Sequence, residues 1–326
     1  LLEKIEVGRI HYIAPSPQEN KIAVINHRNE IIIVDIDKKT KTEVDKSKYM
    51  RPYSISWSPD GRWLTYDFDN TKSTCVIKVY NLDKDKKYQI TKPIKDDYAP
   101  VFSDDGKYIY FIGNRILNPV VDTIQFEISF IKTTKLYAVT LKKEYDSPFK
   151  EKAKSPAGQE DSKKGKNKKD NDKEKDVKVE IDFENIFDRV IEFPIKAGLY
   201  REIQTHKNKI IYQEHPRDCL KDDTNWMTTI PPAKDKLKVY DLEKQQSEEL
   251  ISGISSFKLS LKGDNTIVRK KGKLFVYKTG EKPKPQKKVK KKFSLEDGAI
   301  KMSRIRICIN PVAEWEQMYR EAWLLQ

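Results

Sequence analysis

Three cysteines in 326 residues, four histidines and no long apolar run set the first limits on this chain. Cys75, Cys219 and Cys308 are odd in number and far apart. They have neither CxxC nor metal-site spacing, so they read as reduced structural residues, as expected in the cytoplasm. No apolar stretch approaches the ~18 residues needed to cross a membrane as a helix. The first residues, LLEKIEVGRI, lack the basic start and apolar core of a signal peptide. They also lack an initiator Met, so the natural start is expected upstream. His11, His27, His206 and His215 show no HExxH spacing. No Gly-x-Ser-x-Gly elbow, P-loop or dinucleotide fingerprint occurs. No metal and no cofactor is expected, nor a catalytic constellation complete within the chain.

The net charge of +14 suggests nucleic acid only until it is located. Residues 150–178 hold 11 Lys and 7 acidic residues, and residues 282–292, KPKPQKKVKKK, hold 7 Lys and no acid. These two tracts carry 11 of the 14 net charges, and the rest of the chain is close to balance. Neither interleaves aromatics with its lysines as single-strand platforms do. Both read as solvated loops, with the second also a candidate contact for an anionic partner, and no nucleic-acid partner is expected. The richness in Lys, Glu and Ile leans toward a heat-adapted source.

What the chain does have is a repeat. Short β-rich runs, each with a turn signal and two further strand patterns, recur from Ile10, Tyr53, Ala99, Arg201 and Ser256. Their first turns begin near Ser16, Ser58, Ser103, Thr205 and Ser260, with steps of 42, 45 and then 102 residues. The long step holds the Lys-rich insert and a further loop. A period of ~40–45 residues with about four strands per unit is that of a propeller blade. A lone blade leaves both faces bare, so blades must pack in a ring. Five units are countable. In Ser58-Pro59-Asp60-Gly61 and Ser103-Asp104-Asp105-Gly106 the carboxylates are demanded by the turn, so they are not read as catalytic pairs. Trp57 and Trp63 read as packing between blades. The Gly-His…Trp-Asp signature is absent.

The stretch IDFENIFDRVIEFPIKAGLY, between the third and fourth units, resembles a segment of the tricorn protease family. Asp188, Arg189, Val190, Pro194, Gly198 and Tyr200 carry the match. DDYAPVFSDDGKYIYFIGNR, TIVRKKGKLFVY and EWEQMYREAW are similar to further family stretches, in the family's order. The first two belong to its second propeller, and the last resembles the first helix of the catalytic half that follows. The resemblance implies an all-β chain: a β-propeller of the seven-bladed type, incomplete at its N-terminus, over residues 1–300. Residues 150–178 would be a disordered insert, and 301–326 a linker strand and the C-terminal amphipathic helix of a truncated catalytic domain. It also implies a hexameric cytoplasmic serine peptidase that acts on oligopeptides released by the proteasome. The Ser, His and Glu of its active site would lie outside this chain. The propeller would filter substrate. Arg28, Arg269 and Lys270, at turns between second and third strands of separate blades, align with basic residues of the channel lid. The plain alternative is that they are ordinary exposed charges. Two other readings are a stand-alone interaction propeller without catalysis and the gating propeller of a prolyl-oligopeptidase-type enzyme.

Low apolarity and high charge cannot offset the entropy of ordering the insert. Limited trypsin is therefore expected to cut first within 150–178 and to leave two fragments that co-elute on size exclusion. First cuts between Asp97 and Phe111 would contradict a propeller.

Overall fold

The computed structural model describes residues 5–121, 128–149, 177–216, 234–283, 298–300, 302, 305–306 and 308–324. These residues build six antiparallel sheets, five of them blades and one a separate two-stranded hairpin. Blade 1 is β1 (Ile10–Pro15), β2 (Lys21–Asn26), β3 (Glu30–Asp35) and β4 (Thr40–Lys46). Blade 2 is β5 (Ile55–Trp57), β6 (Trp63–Asp69), β7 (Cys75–Asn81) and β8 (Lys86–Gln89). In blade 3, β9 (Asp96–Phe102) and β10 (Tyr108–Asn114) are followed by a separate hairpin, β11 (Pro119–Val121) and β12 (Ile128–Phe130). The blade then resumes with β13 (Thr134–Thr140) and β14 (Val190–Glu192). Blade 4 is β15 (Tyr200–His206), β16 (Lys209–Glu214), β17 (Asp235–Asp241) and β18 (Gln246–Ile254). Blade 5 has β19 (Ser256–Leu259), β20 (Asn265–Lys270) and β21 (Lys273–Lys278). Residues 298–300 run along β21, with Ala299 opposite Phe275. The helix α1 spans Pro311–Leu324.

The five units read from sequence are thus the five blades, with one correction. The segment Ile181–Tyr200 does not lie between blades. Its residues 190–192 are the outermost strand of blade 3, and Tyr200 opens blade 4. Its first half turns through a 3₁₀ helix, Ile186–Arg189, and packs back on blade 2. There Phe183 stacks on Tyr88 at 3.9 Å between ring centroids, and the Trp63 indole N–H donates to the Val179 carbonyl at 3.2 Å. Most of 150–178 lies outside the described residues, but Val177 packs against the core between blades 2 and 3. Cys219 also lies outside them.

The Ser-Asp turns form as the sequence demands. Ser58 Oγ donates to Asp60 Oδ1 at 2.6 Å and accepts from the Trp63 N–H at 2.9 Å. Ser103, Asp105 and Tyr108 repeat the pattern. Gly61 and Gly106 both take φ near +68°, open to glycine at little cost. The second Asp60 oxygen accepts from the Val179 N–H at 2.8 Å, so this turn also anchors the segment leading to β14.

Five blades enclose four apolar cores, one at each junction between consecutive blades. Strand alternation explains this. Ile31 and Ile33 of β3 meet Trp57, Leu64 and Tyr66 of blade 2, and Phe257 and Val268 of blade 5 meet Val239 and Ile251 of blade 4. No apolar core joins blade 5 to blade 1 among the described residues. Ile13 and Ile267, which point away from their packed neighbours, are 54% and 37% exposed.

Asp67 ties blades 2 and 3 together. Fully buried at the end of β6, it accepts from the Tyr53 N–H at 2.6 Å, Ser54 Oγ at 2.7 Å and the Ala99 N–H at 3.2 Å. Ala99 sits at φ +53° in a bulge of β9 just before Pro100, a conformation an L-residue holds only when its surroundings impose it. Burial pushes the Asp67 carboxyl up to about 6, against the pull of these hydrogen bonds. The folded state then holds this proton more tightly than the unfolded chain does. Stability from this group is present below about pH 4 and is lost as pH rises to about 6. The urea-measured stability of wild type minus that of Asp67→Asn should therefore fall by up to about 3 kcal/mol across that window. A difference that stays flat would mean that Asp67 has the same pKa in the folded and unfolded chain.

Candidate functional site

The first strand of every blade faces the axis of the arc. Together these strands wall a cavity of about 1710 Å³, lined by residues 10–15, 54–57, 98–104, 200–206 and 258–263. It reaches from the turns after the first strands, at Pro59, Asp104 and Gly263, to Met50, Asn114 and Thr134 at the opposite face. It therefore extends along the axis of the arc from one set of turns toward the other. Its wall is mixed: Tyr12, Ile55, Trp57, Tyr98 and Ile203 alternate with Glu202, Gln204, His206 and Lys258.

The polar groups of the wall are mostly engaged in holding strands. The Trp57 indole N–H donates to the Ala14 carbonyl at 2.9 Å, and Tyr98 Oη donates to the Tyr200 carbonyl at 2.7 Å. Gln204 Oε1 accepts from the Leu259 N–H at 2.7 Å. His206 lies between Asp104 and Asp264, at 3.9 and 3.6 Å. His215 and Asp235 form a buried pair, Nδ1 to Oδ1 at 2.5 Å, which joins the end of β16 to the start of β17. The partners of His206 are thus carboxylates rather than a serine or cysteine nucleophile. Ser54, Ser58 and Ser103 donate to the carboxylates of Asp67, Asp60 and Asp105. Burial, with Asp67 and Asp69 nearby, pushes the Cys75 thiol far above its ordinary range, which makes it a poor nucleophile. No group of three or more metal-ligating side chains forms among the described residues.

The expected gate residues occupy the face opposite the Ser-Asp turns. Arg28 is in the β2–β3 turn, while Arg269 and Lys270 are the last two residues of β20. The turn itself is Lys271-Gly272, both at positive φ. By strand alternation the two sites open on one face. Arg28 is not a loose charge: its guanidinium pairs with Glu30 at 3.0 Å and Glu6 at 3.2 Å. Arg269 is exposed and Lys270 half-buried. None of the three is among the described residues that line the cavity.

The family profile described as "Tricorn protease second beta propeller domain" matches residues 2–280. The chain belongs to the tricorn protease family. It is 32% identical over 98% of its length to the tricorn protease homolog of Saccharolobus solfataricus, and covers 27% of that protein. It is 24% identical over 98% of its length to the tricorn protease of Thermoplasma volcanium, covering 28% of it. The crystal structure of the tricorn protease superposes with a TM-score of 0.69 at 21% identity, over 85% of this chain and 26% of that one. That likeness establishes the propeller fold. The chain spans about a third or less of the length of the curated relatives it matches. No helix among the described residues is long and apolar enough to cross a membrane.

Two features of this tricorn-family propeller were not foreseen from sequence. Gly113 and Asn114 end β10, and Arg115 after them turns inward. Its Nε and Nη2 bind the fully buried Asp97 at 2.8 and 2.6 Å, and it lies over the Tyr137 ring at 4.9 Å. The connection after it carries the β11–β12 hairpin, where Pro119, Val121, Ile128 and Phe130 share one face by cross-strand register. The adjacent Asp97 and Arg115 were visible as types, but nothing in their spacing marks them as partners.

Arg115 and Arg28 thus make a controlled comparison. Arg115→Met leaves a buried carboxylate unpaired and is expected to cost ~3 kcal/mol in urea unfolding. Arg28→Met leaves the buried Glu30 still bonded by Lys46 and Asn26, and is expected to cost under about 1 kcal/mol. Equal losses would remove the distinction between the two sites.

Proposed function

We propose that this chain is the substrate-filtering propeller of a tricorn-type serine peptidase, one that shortens oligopeptides downstream of the proteasome. On this reading it works in the cytoplasm as part of a hexamer, and the nucleophile, base and acid of the reaction lie outside the chain. The observation that carries the reading is the axial cavity, walled by the first strands of all five blades and open toward both sets of turns. A passage of this kind admits an extended peptide and excludes a folded protein. The wall offers the alternating apolar and hydrogen-bonding groups that a peptide backbone with varied side chains can use.

The ring is proposed to be of the seven-bladed type, incomplete at its N-terminal side. What supports this is the missing core between blades 5 and 1, with Ile13 and Ile267 facing outward from the ends of the arc. Further blades would cover those faces. The helix α1 points the same way. Trp315, Met318, Tyr319 and Trp323 lie on one stripe, and the two Trp are 66% and 72% exposed. A free-standing interaction propeller gives such a stripe no role, whereas a first helix of a catalytic half would bury it.

Arg28, Arg269 and Lys270 are proposed as the basic rim of the passage on the face opposite the Ser-Asp turns. Positive charge there would draw the C-terminal carboxylate or acidic side chains of an entering peptide, over a range that salt limits to ~8–10 Å. Replacing all three by Ala in the intact peptidase should raise the rate on long peptides relative to that on a minimal fluorogenic substrate. The salt dependence of the long-peptide rate should shrink. If both substrates respond equally, or neither responds, the three are surface charges and the rim is elsewhere.

A further inference from the structure

One set of contacts within the cavity joins residues of three blades. Lys258 of β19 places its ammonium 2.9 Å from Tyr12 Oη of β1, a residue 246 positions earlier, and 4.8 Å from the centroid of that ring. The same ammonium lies 2.6 Å from Glu202 Oε1 of β15. Glu202 Oε1 is also held by Gln204 Nε2 at 3.1 Å. All of these residues line the cavity. Blade 5 and blade 1 share no apolar core among the described residues, so this polar contact is not a by-product of blade packing. Three first strands are joined by one side chain that runs through the space a peptide would use.

We infer that Lys258, Tyr12 and Glu202 form a displaceable bar across the passage, a constriction inside the channel and separate from the basic rim at its mouth. The inference rests on the reading of the cavity as a peptide passage. Its physical basis is exchange of partners. Lys258 is half-exposed, so its pair with Glu202 is weak enough to open. An entering peptide can supply a carboxylate or carbonyl oxygen to Lys258 and an aliphatic or aromatic side chain to the Tyr12 face, in place of the contacts it breaks. The bar therefore selects for extended chains that bring an acceptor ahead of an apolar group, and it resists chains that bring a second cation. Glu202 and Tyr12 hold the Lys258 amine in its charged form, with burial opposing them.

The bar is tested first on this chain, by amine acylation read out by mass spectrometry. Lys258 should label several-fold more slowly than Lys262, which is exposed in the neighbouring turn. Glu202→Gln and Tyr12→Phe should each raise its labelling, with Lys262 unchanged as the internal standard. Passage is then tested in the intact peptidase with Lys258→Met, which removes the charge and retains an unbranched apolar chain. The ratio of long-peptide to minimal-substrate rates should rise several-fold, and more for peptides with a basic leading end. Lys258 labelling as fast as Lys262 would overturn the bar. So would slow labelling with an unchanged rate ratio, if the Arg28, Arg269 and Lys270 replacement does change that ratio. If neither set of replacements changes it, the passage reading itself fails, and the bar as a substrate filter fails with it.

Discussion

The constraint behind most of this structure is the unpaired edge of each first strand. A first strand pairs with the second strand of its own sheet, and its other edge faces the axis and the neighbouring blade. Backbone groups left there cost free energy unless something bonds them. Three junctions supply a side chain for this: Asp67 accepts from the Ala99 N–H, Tyr98 reaches the Tyr200 carbonyl, and Gln204 accepts from the Leu259 N–H. At the remaining junction Trp57 adds a second bond to the Ala14 carbonyl. The same bonds fix the spacing of the strands, so the width of the cavity follows from how its walls are tied.

This division of labour explains what could be read in advance. The Ser-Asp-Gly turns are local: Ser58, Asp60 and Gly61 satisfy one another within a few residues, so their spacing in sequence is their geometry in space. The blade count followed from them, as did the packing role of Trp57 and Trp63. The edge bonds are not local. Trp57 and Ala14 are 43 residues apart, and Trp63 and Val179 are 116 apart. No period links such partners. The same reason hid β14, whose three residues pair with β13 across the whole insert, and Lys258, whose partner lies near the other end of the chain. Of the candidate site, the sequence supplied the face on which the basic residues lie, by counting strands. It did not supply the ion pairs that separate one arginine from another.

Those pairs matter because the chain is full of cations. Lys78 and Lys87 converge on Asp45 at 3.1 Å each, Tyr66 adds its hydroxyl at 3.0 Å, and Lys78 lies 3.2 Å from the Phe68 ring centroid. The Asp45 carboxyl is held below the usual range because the pull of Lys78 and Lys87 exceeds the opposing effect of burial. These lysines seal the outer part of the junction between blades 1 and 2, and Arg115 does similar work within blade 3. Cations engaged in this way cannot also serve a passing ligand without loosening the fold. Arg269, exposed at the end of β20, and Lys258, half-exposed in the cavity, can exchange partners at small cost.

The helix α1 meets the opposite condition. It is capped at Asn310, whose Oδ1 accepts from the Val312 N–H at 3.2 Å, and it carries a Glu316–Arg320 pair at 3.4 Å. Such local terms are worth a few tenths to ~1 kcal/mol each, and a helix of this length is marginal in water on its own. The Trp315, Met318, Tyr319 and Trp323 stripe is exposed, and it is the face through which burial would add to these terms. The segment leading to it is stitched to the last strand of blade 5, by the Val276 N–H to the Gly298 carbonyl at 2.8 Å and the Ile300 N–H to the Leu274 carbonyl at 2.9 Å.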